Sequence, residues 1–261
     1  MTAARPFSRS FVRAVRVVSV LAMLAFASGA ALAAEITVAA AASLTNAFKD
    51  IGSAFEAANP KTKVQFSFAA SGALLQQIAK GAPVDVFASA DEETMDQAQQ
   101  QRLVRAGTRA DFARNALVVV VPQDASAPPK ALADLTASSI RHVAIGVPAS
   151  VPVGRYTKAV LEKAQLWPQI EAKMIGAQSV RQAHDYVARG EVEAGFVYAT
   201  DAALMADRVK VAFVVPTATP VLYPIAVMAS STNAVAAQAF VAYVLSASAQ
   251  AVLTRHGFSR P

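Results

Sequence analysis

The 261 residues carry 24 basic and 18 acidic side chains, a formal charge of +6, no cysteine and 54% apolar residues. The missing cysteines exclude disulfides, thiolate chemistry, cysteine-ligated metals and a lipid anchor on an N-terminal cysteine. The length suits one large domain or two lobes of roughly 100 to 150 residues each.

At the N-terminus Arg5, Arg9, Arg13 and Arg16 precede the apolar run 17–26, and Ala31-Leu32-Ala33 supplies the small residues of a processing site. This pattern predicts a secretory signal peptide over residues 1–33, cleaved after Ala33. Without its four arginines, 20 basic residues face 18 acidic ones and the formal charge falls to +2. No basic stripe interleaved with aromatics remains, so nucleic-acid binding has no electrostatic footing. Beyond the leader no apolar run reaches the roughly 20 residues needed to span a bilayer.

Short β-branched runs then alternate with segments of helical period, the pattern of an α/β protein with largely parallel sheets. Ile36-Thr37-Val38 opens the series; Leu44, Ala47, Phe48, Ile51 and Phe55 recur at helical spacing, and Val64, Phe66 and Phe68 alternate as a strand. Leu74, Leu75 and Ile78 mark a helix closed by Gly81, residues 84–87 a strand, and residues 91–103 a helix with an acidic start. Residues 117–121 read as a buried strand, and residues 124–129 as a connector between lobes. A second set follows: strands at 142–145, 194–198 and 211–215, and helices at 155–166 and 180–189. Residues 225–228 form a last strand, and residues 234–255 one or two helices closed by Gly257. The expected organisation is a first lobe over 34–116, a second over 117–224 and a return to the first over 225–261, with 117–121 and 225–228 as the crossing strands.

Four places share one local grammar, in which a strand or loop delivers a small or polar residue to the first turn of a helix. They are Ala42-Ser43-Leu44-Thr45, Ala70-Ser71-Gly72-Ala73, Val151-Pro152-Val153-Gly154 and Gln178-Ser179-Val180-Arg181. A serine at such a place ordinarily caps its helix. Several helix starts aimed at one point, however, leave unpaired N–H groups and partial positive charge that together make an anion site without charged side chains. In open α/β sheets such turns lie where ligands bind, beyond the carboxyl ends of the strands.

The segments Ile36 through Ala47 (ITVAAAASLTNA), Phe68-Ala69-Ala70-Ser71-Gly72-Ala73-Leu74, Gly81 through Asp91 (GAPVDVFASAD) and Gly195 through Asp201 (GFVYATD) closely resemble the periplasmic molybdate-binding proteins of ABC transporters. The resemblance covers essentially all of residues 34–261. It implies a two-lobed type II periplasmic-binding fold that needs no cofactor and catalyses no reaction, holding molybdate or tungstate in the cleft and delivering it to a membrane permease. Carried onto matching positions, it implies that Ser43 and Ser71 each give a hydroxyl and a backbone N–H, Val153 and Val180 a backbone N–H, and Tyr198 its phenolic O–H. Molybdenum would thus be bound as an oxyanion, with no direct cation ligand. A cleaved, unanchored chain of this kind is expected in the periplasm, as a monomer. The sequence departs from the family at Gly72, where a further serine or threonine is common, and at Val153, where a smaller residue is usual.

Other readings are weaker. Sulfate or another small oxyanion suits a donor-only site as well as molybdate does, since both accept hydrogen bonds and donate none. A serine hydrolase lacks its G-x-S-x-G elbow and a histidine in a triad context. His142, His184 and His256 are scattered without metal-ligand spacing. Asp85 and Asp201 read as braces of helix starts, and Arg155 and Arg181 either as a source of positive potential at the cleft mouth or as part of a solvated face.

Overall fold

The computed structural model describes Met1 and residues 34–261; the leader expected over 1–33 lies, apart from Met1, outside the described residues. Among the described residues ten strands form two five-stranded sheets. The first contains β1 (Ala34–Ala41), β2 (Thr62–Ala69), β3 (Val86–Ala88), β4 (Ala110–Asn115) and β10 (Val221–Val227), in the spatial order β2-β1-β3-β10-β4. The second contains β5 (Leu117–Pro122), β6 (Val143–Gly146), β7 (Met174–Ala177), β8 (Ala194–Tyr198) and β9 (Val209–Val215), in the order β7-β6-β8-β5-β9. In each sheet four strands run in one direction and one against them: β10 is antiparallel to its neighbours β3 and β4, and β5 to β8 and β9.

Two crossings join the sheets. The chain leaves the first at Ala116, between β4 and β5, and returns between the end of β9 at Val215 and the start of β10 at Val221. The return therefore precedes the expected boundary at 224/225, and residues 221–224 belong to the first sheet. Strand β10 continues through Pro224 because the proline sits at a register shift, between Tyr223 and Pro224, where an irregular ladder tolerates the missing N–H. Residues 124–129, expected as an interlobe connector, follow β5 and lie wholly within the second lobe.

The helices are α1 (Thr45–Ala58), α2 (Ser71–Ala79), α3 (Glu92–Gln100), α4 (Pro152–Lys163), α5 (Trp167–Glu171), α6 (Val180–Ala188), α7 (Ala199–Ala202), α8 (Ala234–Val244) and α9 (Ala247–Arg255). In the first lobe both sheet faces are covered. On one side Val38, Ala40, Val86 and Ala88 pack with Phe48, Ile51 and Phe55 of α1 and Phe240 of α8. On the other, Ala39 and Phe87 pack with Leu74, Leu75 and Ile78 of α2 and Met95 of α3. This period-2 division is why residues 38–41 of β1 and all of β3 are apolar without a break rather than alternating. Strand β5 is likewise buried from Leu117 to Val121. Among the described residues no single helix is long and apolar enough to cross a membrane.

Candidate functional site

The sheets are arranged so that the carboxyl ends of β1, β2 and β8 and the turns that follow them meet between the lobes. Strand β1 runs into a 3-10 turn, Ala42–Leu44, before α1; β2 ends one residue before Ala70, which opens α2. From the second lobe come the start of α4, with Val151 at its N-cap and Pro152 at its first position, the start of α6 at Val180, and Tyr198 at the end of β8. Proline suits the first helical position, where its missing N–H is no loss.

Ser43, Ser71, Val153, Val180 and Tyr198 all line one small cavity of about 200 Å³, together with Ala41, Ala42, Ala70, Ala90, Val151 and Pro152. Other hollows on the surface are four- to fivefold larger, for instance about 830 Å³ beside Arg189 and Arg208 and about 1050 Å³ beside Asp85. The interlobe cavity is much the smallest of these three and leaves no room for an organic ligand of drug size. No residue lining it carries a formal charge.

The serines do not all act alike. Ser179 is an ordinary cap, its side chain accepting from Gln182 N at 3.2 Å. Ser43 and Ser71 cap nothing. Ser71 is the first residue of α2, and its Oγ accepts from Ala90 N at 3.0 Å. Ser43 Oγ lies 3.0 Å from Tyr223 Oη. The N-cap positions of the Ala42–Leu44 turn, of α2 and of α4 are Ala41, Ala70 and Val151, none with a side-chain cap. Alanine and valine are poor caps, and a helix start without one keeps its donors for another acceptor.

Tyr198 is 1% exposed, and its Oη donates to the Ala90 carbonyl at 3.4 Å, across the cleft. Burial, with smaller contributions from Tyr223, Tyr156 and nearby aspartates, pushes its phenol well above the ordinary range, so it remains a donor at neutral pH. Val153 is fully buried and its side chain sits over Gly146, where a Cβ would come within 3.1 Å of Val153 Cγ1. The bulk of Val153 is thus absorbed by a glycine in β6.

The lobes touch directly at the cavity rim. Gly72 N donates to Ser150 O at 3.0 Å, and a Cβ on Gly72 would lie 2.6 Å from that oxygen and 2.9 Å from Ser150 Cα. A larger side chain at 72 has no room, which explains the glycine where a hydroxyl residue is usual in the resembling family. Arg155 reaches from the second lobe to Asp91 of the first, Nε at 2.8 Å and Nη2 at 2.6 Å from Oδ2, and on to Thr94 Oγ1 at 2.5 Å. Arg155 is therefore a cross-cleft tie rather than a solvated residue. Arg181 pairs with the buried Asp201, Nε to Oδ1 at 2.6 Å, in an alignment that makes an ion pair but not a hydrogen bond, and its Nη2 donates to Ser43 O at 3.4 Å. Desolvation raises Asp201 to about 6 in spite of Arg181. Both arginines are thus matched by aspartates, and the nearby carboxylates do not present unopposed negative charge.

Asp85 braces the first lobe, accepting from Thr37 N at 2.8 Å and from Ser231 Oγ at 2.6 Å. His256 meets Asp50 at 2.7 Å, His142 lies 3.8 Å from Glu193, and His184 is buried in α6 with its pKa lowered by desolvation. Among the described residues no group of three His, Cys, Asp or Glu side chains converges as a metal site would. Sequence reasoning missed Asn115, Tyr223 and Ala90. Only Ala90 lies in a recognisable segment, the one ending S-A-D.

Residues 36–259 match the family model described as bacterial extracellular solute-binding protein. The chain belongs to this family. It is 38% identical over 252 residues to the molybdate-binding protein ModA of Escherichia coli, a match covering 91% of this chain and 95% of that one. The periplasmic molybdate-binding protein of Azotobacter vinelandii superposes with a TM-score of 0.76 at 25% identity, covering 87% of this chain and 99% of the other. The sulfate-binding protein SubI of Mycobacterium tuberculosis shares the fold, with a TM-score of 0.75 at 21% identity and 87% coverage of each chain. Family membership makes this a two-lobed solute-binding protein and not an enzyme, a protein whose task is to hold and release a ligand.

Proposed function

We propose that the chain is the solute-binding component of an ABC importer and carries molybdate or tungstate in the interlobe cavity. The observation that carries this reading is the lining itself: about 200 Å³ bounded by residues of both lobes, with three hydroxyls and no charged side chain. In this reading Ser43 and Ser71 give hydroxyl and backbone N–H, Val153 and Val180 backbone N–H, and Tyr198 its O–H, turned to the anion from its long 3.4 Å contact with the Ala90 carbonyl. Molybdate is fully deprotonated at neutral pH and accepts hydrogen bonds without donating any, so a shell of donors is complementary to it. About seven bonds to a charged partner, at roughly 1.5 to 3 kcal/mol each, exceed 10 kcal/mol gross. Dehydration and lobe closure consume part of this, leaving about −8 kcal/mol, or micromolar affinity.

Similarity to the molybdate-binding proteins of E. coli and A. vinelandii supports molybdate. The lack of a carboxylate in the lining disfavours hydrogen phosphate, whose proton needs an acceptor. Tungstate, nearly the size of molybdate, should bind alike. A leader over 1–33 cleaved after Ala33 would release the chain to the periplasm as a monomer that docks on its permease. It would leave Ala34, the first residue of β1, as the new terminus, so processing would cost no part of the sheet.

Thermal denaturation of residues 34–261 with molybdate, tungstate, sulfate or phosphate tests the reading. Ligand at about 1,000 times its dissociation constant should add roughly 4 kcal/mol. Stabilisation by molybdate and tungstate, little by phosphate, is expected. A shift with sulfate alone would move the assignment to sulfate, and no shift with any tetrahedral oxyanion would end it.

A further inference from the structure

A serine hydroxyl has one proton to give and lone pairs to receive with, so it can serve an anion or a proton-bearing ligand equally well unless its surroundings fix its direction. At Ser43 the surroundings do so. The backbone N–H of Ala116 can only donate, and it lies 2.9 Å from one side-chain atom of Asn115, which must therefore be the oxygen, Oδ1. The other atom, Nδ2, then donates to Thr200 Oγ1 at 2.8 Å and to Tyr223 Oη at 3.2 Å. Tyr223 Oη thus receives a proton from the amide while keeping its own, since burial, together with the nearby Asp201, pushes the phenol well above its ordinary range. The remaining partner of that Oη is Ser43 Oγ at 3.0 Å, so the phenol proton points to the serine. Ser43 is left with a satisfied acceptor side and an O–H whose open direction is the cavity it lines. Ser71 is polarised in the same sense by Ala90 N.

We propose that Tyr223, backed by Asn115, is a positioning and specificity-determining residue: by donating to Ser43 Oγ it compels that hydroxyl to offer the bound oxyanion a proton and never a lone pair. The relay biases the cavity toward fully deprotonated tetrahedral dianions and against those still carrying a proton, such as hydrogen phosphate. This rests on the reading that Ser43 binds the oxyanion. Tyr223 itself does not line the cavity and acts through Ser43. Its ring is fixed independently by Phe112, Tyr198 and Phe258, at centroid distances of 6.3, 5.8 and 5.4 Å, so Tyr223→Phe removes the hydroxyl and keeps the packing.

The test is a double-mutant cycle read by calorimetry with sodium molybdate and, in competition, sodium phosphate at pH 8, on wild type, Tyr223→Phe, Ser43→Ala and the double variant. Ser43→Ala should weaken molybdate about 10- to 100-fold, and Tyr223→Phe about 3- to 10-fold. The double variant should bind no more than about twofold worse than Ser43→Ala alone, because without Ser43 there is nothing for Tyr223 to orient. Phosphate should gain on molybdate in Tyr223→Phe, since the freed Oγ can then accept. Asn115→Ala, which leaves both hydroxyls in place, should shift the phosphate-to-molybdate ratio in the same direction and carries the test if Tyr223→Phe does not fold. Additive losses in the cycle, or an unmoved ratio, overturn the relay while leaving the site intact. An unchanged molybdate affinity in Ser43→Ala instead overturns the site reading, and the relay with it. Should wild type prefer sulfate, the same cycle is run with sulfate, also a pure acceptor.

Discussion

In the first lobe the strand arriving from the other lobe, β10, lies between β3 and the departing β4; in the second the arriving β5 lies between β8 and the departing β9. The two lobes thus repeat one topology, and each aims helix starts at the shared cavity. Their contributions nevertheless differ in kind. The first lobe offers hydroxyl side chains, Ser43 and Ser71, each with a partner that occupies its acceptor side. The second offers two valines, buried through their side chains and available to a ligand through backbone alone, and a single hydroxyl on Tyr198. A site can therefore be half side chain and half main chain, and the halves should respond differently to mutation.

The largest effect is expected where the halves meet. Gly72→Val would drive a branched side chain into the backbone of Ser150. An overpacking cost near the upper end of roughly 1–3 kcal/mol, falling on the contact between the lobes, would weaken oxyanion binding about 100-fold with little change in the stability of either lobe. Titration calorimetry and denaturation of the same sample check both parts. Next comes the first-lobe half itself: Ser71→Ala should cost at least about tenfold, since a hydrogen bond to a charged group is lost. Smaller again is the tie across the cleft. Arg155→Met leaves Asp91 without its cross-cleft ion pair and should raise the dissociation rate about fivefold or more, as read by stopped-flow ligand exchange. Smallest in affinity is the second-lobe half. Val153→Ala should lower stability by about 1–3 kcal/mol through the space it leaves, yet shift affinity less than about twofold, because the N–H remains. Equal losses from Val153→Ala and Ser71→Ala would erase the contrast between the lobes.

A pH measurement sharpens the second-lobe side of the comparison. Asp201 titrates at about 6 when folded against 3.8 for the free side chain, so the folded state holds this proton more tightly. Its contribution to stability is present below about pH 4 and is lost as the pH rises through about 6. Buried His184, lowered from 6.5, works in the opposite sense and contributes as the pH rises toward that value. The difference between wild type and Asp201→Asn isolates the first group and should decline between pH 4 and 7.

Much of this architecture could be read from residue order because fully buried strands and amphipathic helices carry strong local signals. Strand β8, Ala194–Tyr198, falls where the apolar run placed it, and the serine and glycine turns marked the cavity mouth. Strands β4 and β7 escaped, and both lie at sheet edges. Ala-Asp-Phe-Ala-Arg-Asn of β4 and Met-Ile-Gly-Ala of β7 are half exposed and lack sustained alternation. The helix expected over 91–103 stops at Gln100, with Arg102 in the left-handed region at φ 57° ending it. The helix expected from Arg155 starts at Pro152, one turn earlier, because proline opens a helix as readily as it breaks one. The five positions carried over by resemblance do line one cavity, but what lies behind them was hidden. Ser43 and Tyr223 are 180 residues apart, Asn115 and Tyr223 108, and no local pattern reports a contact made only when two crossing segments come together.

The claim on which all of this depends is that uncharged donors from both lobes suffice to hold a doubly charged oxyanion. Calorimetric titration of residues 34–261 with molybdate, repeated on the Ser43→Ala/Ser71→Ala double variant, addresses it directly. The account predicts one site per chain of about micromolar affinity in wild type and no measurable binding in the variant. Equal binding by both proteins would show that the anion is held elsewhere.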